Sequence, residues 1–289
     1  LQYTFEAIGT KWIIDVPQLP ESLAEEQLKK AVQKRIELFD LTYSRFRKDS
    51  LVTQMSQRGG TYKLPEDAQL LLDAYEKFYR ITNGTVTPLI GQTMEQAGYD
   101  ADYSLTPGHL TSPPAWNEVL HYKFPNLEIK IPSMLDFGAA GKGYLIDIIG
   151  QLLESLGINS FCIDASGDIL QQSDVGEILE VGLENPSNTT QAIGIAKIRN
   201  QSLCASSGNR RKWGNFNHII NPHTLLSPEN ILATWTTAQT ALIADGLATC
   251  LFFTPAKQLQ SHFDFEYLIL YKDRSIERSQ QFPAELFLK

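Results

Sequence analysis

Helices and strands interleaved in one large domain, or in two intimate ones, are what this sequence predicts, and three observations carry the prediction. Glu21 to Asp40 and the stretch after Pro65 have helical periodicity. A strand, helix, strand succession runs from Leu127 to Ala165, and the chain beyond Asp168 opens on short alternating strands. At 289 residues the chain can bury a large core, and no linker divides it.

Composition removes several function classes. Twenty-five Lys and Arg against 33 Asp and Glu give a net charge of −8, which argues against a nucleic-acid footprint and leaves an anionic ligand to be held by local groups or a metal. No run of ~18 or more apolar residues exists, the longest candidate, Leu242 to Phe253, being cut by Asp245, so no membrane span is expected. Cys162, Cys204 and Cys250 lie far apart without paired or metal-ligand spacing and read as buried small residues.

Taken in order, Lys11 to Val16 reads as a strand, and Glu21 to Asp40 places Leu28, Val32, Ile36 and Phe39 on one helical face. Thr42 to Ser50 sets Phe46 between Arg45 and Arg47; the plain reading is a solvated loop with one buried ring, the sharper one a ring that stacks on a ligand. Pro65 opens a second helix, with Leu71, Leu72, Tyr75, Phe78 and Tyr79 at helical spacing and Asn83-Gly84 as its stop. Its aromatics read as core. Gly84 to Pro88 is a polar turn, and Gly98 to Pro125, rich in Pro, Gly, Asp and Tyr, is an irregular excursion long enough to cover a site.

Leu127 to Ile131 alternates as a strand and feeds Asp136 to Asp147, the stretch around which the chain is organised. Its helix runs through Leu145, Ile149, Leu152 and Leu156 to Gly157. Backbone N–H groups freed by Gly138, Gly141 and Gly143 would cradle an anion at the helix start, with Lys142 adding a charge. A Walker A loop needs four residues between its first Gly and Gly-Lys, followed by Ser or Thr; two residues and then Gly143 stand here instead, so this is not one. A tight strand-to-helix connection with a solvated lysine fits these residues as well as a ligand site does.

Phe161 to Ala165 is the next strand, ending in the turn Ser166-Gly167-Asp168, and Leu179 to Leu183 and Ala192 to Ile198 follow with a loop at Asn185 to Asn188. Arg210, Arg211 and Lys212 come after a glycine turn, as a solvated tip or an anion contact. His218, between that basic turn and Asn221-Pro222, is an acid/base candidate, although a lone histidine is usually structural. Thr236 to Phe253 reads as a helix on which Asp245 and Thr249, four apart, share a face of small residues. A carboxylate and a hydroxyl there suit Mg²⁺; a carboxylate favoured by the helix dipole is the plainer reading.

In this order, Ile8-Gly9-Thr10, Tyr43 to Ser50, Gly84 to Pro88, Asp136 to Asp147, Asp164 to Ile169, His218 to Pro222 and Ala241 to Thr249 resemble the ApbE family, the FAD:protein FMN transferases. The resemblance runs over nearly the whole chain and implies a single α+β domain, residues 1–289, of mixed and antiparallel sheets with helices around a central flavin cleft. It implies Mg²⁺-dependent transfer of the FMN half of FAD to a threonine hydroxyl of an acceptor protein, such as a membrane redox complex subunit, with release of AMP. Residue by residue, it makes Asp245 and Thr249 side-chain ligands of Mg²⁺, with Ala139 and Ala248 supplying backbone oxygen. Ile8, Phe46, Thr85, Val86, Thr87, Asp136, Lys142 and Ile219 would line the FAD, and His218 would be the base, with a pKa near the working pH. The bacterial cell envelope, periplasmic or lipid-anchored at its outer face, is the implied location, and an upstream signal or anchor removed ahead of Leu1 is compatible with it.

Three positions depart from the family pattern. Ala-Phe-Asp-Pro is here Thr85-Val86-Thr87-Pro88, without the ring and the carboxylate that would meet the flavin. His-Ile-Ile-Asp-Pro ends in Asn221, which removes a charge that would raise the basicity of the nearby His218. A double glycine is replaced by Ser166-Gly167. The alternatives are an FAD pyrophosphatase, with water in place of the acceptor, a non-catalytic FAD-binding protein, and a structural protein of the envelope.

Overall fold

The chain opens as a hairpin, β1 (Gln2–Ala7) and β2 (Thr10–Asp15), whose turn holds Ile8 and Gly9 at φ 44° and 72°. The computed structural model describes residues 1–287. A helical region follows: α1 (Glu25–Tyr43), α2 (Leu51–Gln57), the short strand β3 (Gly60–Lys63), α3 (Ala68–Ile81), a 3₁₀ turn at Pro88–Ile90 and α4 (Gly91–Gln96). In α3 the apolar spacing buries Leu71, Leu72, Tyr75 and Phe78 completely, each contributing roughly 1.5–3 kcal/mol. The expected start of α1 at Glu21 moves to Glu25, because Pro20 first closes a turn with its carbonyl accepting from Leu23 N–H.

The irregular excursion is real from residue 98 to 115, but its end folds into α5 (Trp116–Val119) and β4 (Leu120–Lys123), which pairs with β5 (Asn126–Ile129). β5 also pairs with β3, in a three-stranded sheet of its own. The strand ahead of α6 (Gly141–Ser155) and the strand after it, β6 (Phe161–Asp164), therefore belong to different sheets, and the strand, helix, strand succession is no βαβ unit.

The second half supplies β7 (Ile169–Gln172), β8 (Leu179–Asn185), β9 (Asn188–Ile198), β10 (Gln201–Ser207), the small hairpin β11 (Lys212–Trp213) and β12 (Phe216–Asn217), and β13 (Ile231–Ala238). The helices α7 (Ala241–Cys250) and α8 (Ala256–Gln260) precede β14 (Glu266–Tyr271), β15 (Ile276–Arg278) and β16 (Ala284–Leu286). The helix expected over Thr236 to Phe253 is thus cut at its start. Thr234 and Thr236 are β-branched residues on one face of β13, their hydroxyls donating to the Ala248 and Ala244 carbonyls of α7 at 2.7 and 2.6 Å. Thr240 then caps α7, its side chain accepting from Ile243 N–H.

An antiparallel sheet in the order β1-β2-β6-β7-β10-β13-β14-β15 forms the middle layer. Strand alternation sends Leu203, Ala233, Trp235, Leu268 and Leu270 to one face, where they pack with Leu183, Ile193, Ala196 and Ile198 of the β8-β9-β16 sheet. Cys204, Tyr267 and Ile269 point to the other face and join the larger core under α1, α3, α6 and α7. The result is α+β: helices, main sheet, second sheet.

Candidate active site

The loop ahead of α6 and the helix α7 build the inner wall. Gly143 lets them meet, since a Cβ there would stand 2.1 Å from the Ala241 carbonyl oxygen and 2.7 Å from Asp245 Cβ. The expected anion cradle is overturned by this packing, because all three glycine N–H groups are taken by protein. Gly138 donates to Asp136 Oδ1 at 2.6 Å, Gly141 to the Phe137 carbonyl at 2.7 Å, and Gly143 to Asp245 Oδ2 at 2.8 Å. Gly143 serves the close approach of α6 and α7, and charge recognition is left to side chains.

Asp245 is 4% exposed, and burial, then the carboxylate of Asp168, push its carboxyl well above the ordinary aspartate range, against the opposing pull of Lys142 and Gly143 N–H. Lys142 is ion-paired to the buried Asp168 and donates to the Ala165 carbonyl at 3.3 Å, so it is not a solvated lysine. Burial alone would lower its pKa, but the carboxylates of Asp168 and Asp245 outweigh it and raise it. One helical turn beyond Asp245, Thr249 Oγ1 donates to the Ala139 carbonyl at 3.3 Å. A carboxylate, a hydroxyl and a backbone carbonyl thus converge from segments about a hundred residues apart. Among the described residues no group of three or more His, Cys, Asp and Glu side chains is arranged for a metal, so the available donors are this mixed oxygen set.

Above the wall lies a cavity of about 990 Å³. Every residue singled out by resemblance lines it except Ala248, which is fully buried in α7 with its carbonyl accepting from Thr234. Thr87 accepts from Leu89 N–H and starts the 3₁₀ turn, a local bond that an aspartate would make equally well. Ser166 and Gly167 adopt φ 57° and 99°, the conformation that a double glycine would take without strain.

The mouth is aromatic and basic. Arg45 is buried, donates from Nε to Asp136 Oδ2 at 2.5 Å and from Nη2 to the Tyr99 carbonyl at 2.8 Å, and lies 4.1 Å over the Phe46 ring. Phe46 is also flanked edge-on by Tyr99 and in parallel by Tyr103, so the ring expected to meet a ligand is already packed by three side chains. The basic turn folds inward: Arg211 donates to the Tyr99 hydroxyl at 2.9 Å and Arg210 to Glu184 at 2.8 Å, both arginines lining the cavity.

His218 lies beside this turn, its N–H donating to the Arg211 carbonyl, and its Nδ1 is buried without a partner among the described residues. Burial, reinforced by the charges of Arg211 and Lys142, pushes its pKa down to about 4, which corrects the expectation of a pKa near the working pH. Asn221 has no part in this: its Oδ1 accepts from His223 and Thr224 N–H at 2.8 and 3.2 Å and closes a turn.

The model of the ApbE family matches residues 8–267. The chain belongs to the ApbE family. The FAD:protein FMN transferase of Vibrio cholerae is 23% identical over 259 residues, 84% of this chain and 78% of that protein. The enzyme of the same name from Haemophilus influenzae is 24% identical over 232 residues, 72% of this chain and 67% of its own. Among solved structures, an ApbE protein from Thermotoga maritima superposes with a TM-score of 0.82 at 19% identity, covering 99% of both chains. The flavin transferase ApbE from Vibrio cholerae gives 0.78 at 17% identity over 98% of this chain and 97% of that one. The α+β fold inferred from the sequence is the ApbE fold.

Several residues that line or support the cavity carry no role in the sequence reading. In the sequence Asp168 reads as part of a turn, Arg45 only as a neighbour of Phe46, and Tyr99 and Tyr103 as parts of an aperiodic stretch; the clustering of Tyr99 and Tyr103 with Asp100 is the available signal. Asp147 also went unassigned. It accepts from Ala241 and Leu242 N–H, both at 2.8 Å, and so caps α7 from within α6.

Proposed function

We propose that this chain is an FAD:protein FMN transferase that uses Mg²⁺, takes a threonine hydroxyl as acceptor and releases AMP. The observation that carries the reading is the convergence of Asp245, Thr249 and the Ala139 carbonyl on the floor of a cavity large enough for a dinucleotide, which Arg45, Arg210 and Arg211 also line. The names borne by the curated relatives from Vibrio cholerae and Haemophilus influenzae support it.

The donor set fits a hard divalent cation, because a cation beside Asp245 would offset both the burial of its carboxylate and the repulsion from Asp168. When bound, Mg²⁺ neutralises charge that develops on the pyrophosphate. The chain's own groups do the rest. Lys142, held by Asp168, and Arg211, held by Tyr99, present fixed cations to the phosphates. The acceptor oxygen bonds to the FMN phosphorus, the anhydride bond breaks, and AMP leaves with the bridging oxygen. His218 is neutral at any pH well above 4 and so is free to take the acceptor's proton. An acceptor exposed at the cell envelope completes the reading.

The test is direct. The chain, FAD, Mg²⁺ and a protein domain bearing an acceptor threonine are incubated and analysed by mass spectrometry. FMN on the threonine with stoichiometric AMP is expected. AMP without modified acceptor would convert the assignment to a pyrophosphatase, and bound flavin with neither product to a carrier.

A further inference from the structure

Tyr103 is a bulky residue held at φ 51°, a left-handed conformation that side chains of this kind rarely adopt. The surrounding turn fixes it there. Asp100 Oδ1 accepts from Asp102 and Ser104 N–H at 3.0 and 2.9 Å, Ser104 Oγ donates to Asp100 Oδ2 at 2.5 Å, and Leu105 N–H closes on the Gly98 carbonyl at 2.8 Å. Gly98 makes the closure feasible, since a Cβ there would stand 2.5 Å from Thr106 N. Strain that is over-determined in this way marks a functional position more often than a scaffold one.

The effect of the turn is to aim one ring. Tyr103 lines the cavity, is 50% exposed, and lies parallel to Phe46 with ring planes 9° apart and centroids 5.7 Å apart. Its hydroxyl reaches the β1–β2 turn, 3.8 Å from where a Cβ on Gly9 would be. Phe46 itself is occupied by Arg45, Tyr99 and Tyr103. Val86, which also lines the cavity, offers no ring. Tyr103 is thus the half-exposed end of an aromatic ladder that runs inward through Phe46 and Tyr99 to Trp213.

We propose that Tyr103 stacks on a flat, uncharged heteroaromatic ring of the ligand and supplies the ring contact that Val86 cannot make. The identity of that ligand rests on the flavin-dinucleotide reading above. Two rings carry this chemistry, isoalloxazine and adenine, and stacking on either is sequence-tolerant recognition by area and π-face.

The test is a binding titration of the wild-type chain and of Tyr103→Phe, Tyr103→Leu and Tyr103→Trp with FAD, FMN and ADP, read by calorimetry and, for the flavins, by fluorescence quenching. Tyr103→Leu is expected to weaken FMN or ADP roughly tenfold and to relieve quenching if the ring is the flavin's, while Tyr103→Phe and Tyr103→Trp bind within about twofold of wild type. Loss confined to FMN assigns isoalloxazine, and loss confined to ADP assigns adenine. Wild-type affinity for all three ligands in Tyr103→Leu overturns the proposal and leaves the flavin site standing. Failure of the wild-type chain to bind any of them overturns both.

Discussion

The inner wall and the mouth of the cavity are built on opposite principles. At the wall, α6 and α7 approach through glycine, and each carboxylate is engaged inside the protein: Asp147 by two α7 N–H groups, Asp245 by Gly143, Asp168 by Lys142 and by Ala205 N–H. At the mouth, Phe46, Tyr103, Arg210 and Arg211 stand on loops, partly exposed, and lean on a buried Arg45 and Tyr99 through a cation–π contact, ring packing and one hydrogen bond. The wall is rigid because no atom there can be added or removed without a buried consequence. The sequence departs from the family pattern at Thr85, Val86 and Thr87, which line the cavity, as well as at Ser166 and Asn221.

The sharpest way to break this contrast is Gly143→Ala. Its methyl would overlap the Ala241 carbonyl and Asp245, so a loss of about 3 kcal/mol or more in urea denaturation is expected. Gly167→Ala, at the rim with nothing within 4 Å, should cost only about 1–2 kcal/mol from its φ of 99°. Similar losses at both positions would erase the distinction between wall and rim.

Next in size is Asp245. Its replacement by Ala leaves the buried Gly143 N–H without an acceptor and should cost about 1–3 kcal/mol, whereas Asp245→Asn keeps an oxygen there and removes only the charge. On the proposed function both should lose turnover with added Mg²⁺ by at least ~100-fold, but only the alanine variant should melt markedly lower. An asparagine variant with normal turnover would remove Asp245 from the metal site.

pH resolves the two regions by sign. Burial raises the Asp147 carboxyl from 3.8 to about 7 despite its two N–H bonds, so its stabilising contribution is full below pH 3.8 and is lost as pH rises to about 7. His218 is lowered from 6.5 to about 4, so its contribution is full above pH 6.5 and is lost as pH falls toward 4. Between these limits the two slopes oppose each other. Relative to wild type, Asp147→Asn should therefore tilt stability upward with pH over this window and His218→Gln should tilt it downward, each by about 2 kcal/mol or more in denaturation series. Parallel curves for the two variants would mean that neither group titrates with folding. The smallest effect belongs to Asn221→Asp, which keeps both turn bonds and should shift stability by under ~0.5 kcal/mol.

Legibility in the sequence divides along the same line. The apolar spacing of α3 and α6, the alternation in β2, β6, β8 and β9, and the Asp245/Thr249 pair all follow from local periods, whereas Asp147 and Asp168 of the wall do not. The hydrogen bonds of the three glycines did not, because a free N–H at a helix start reads the same whether its acceptor is a ligand or a carboxylate a hundred residues away. β13 was hidden by its run into the small residues of α7, with Thr240 the overlooked cap. The low pKa of His218 was beyond reach, since Arg211 and Lys142 become its neighbours only through the fold.

The order of pairing in the main sheet also bears on how the molecule is made. β2 finds its partner β6 only after the whole helical region has been synthesised, and Gly143 and Asp147 of α6 find theirs only when α7 follows β13. Contacts of such long sequence separation close slowly and late. The cavity is therefore among the last features the chain completes, and a molecule that binds there can hold the finished fold but cannot guide the search for it.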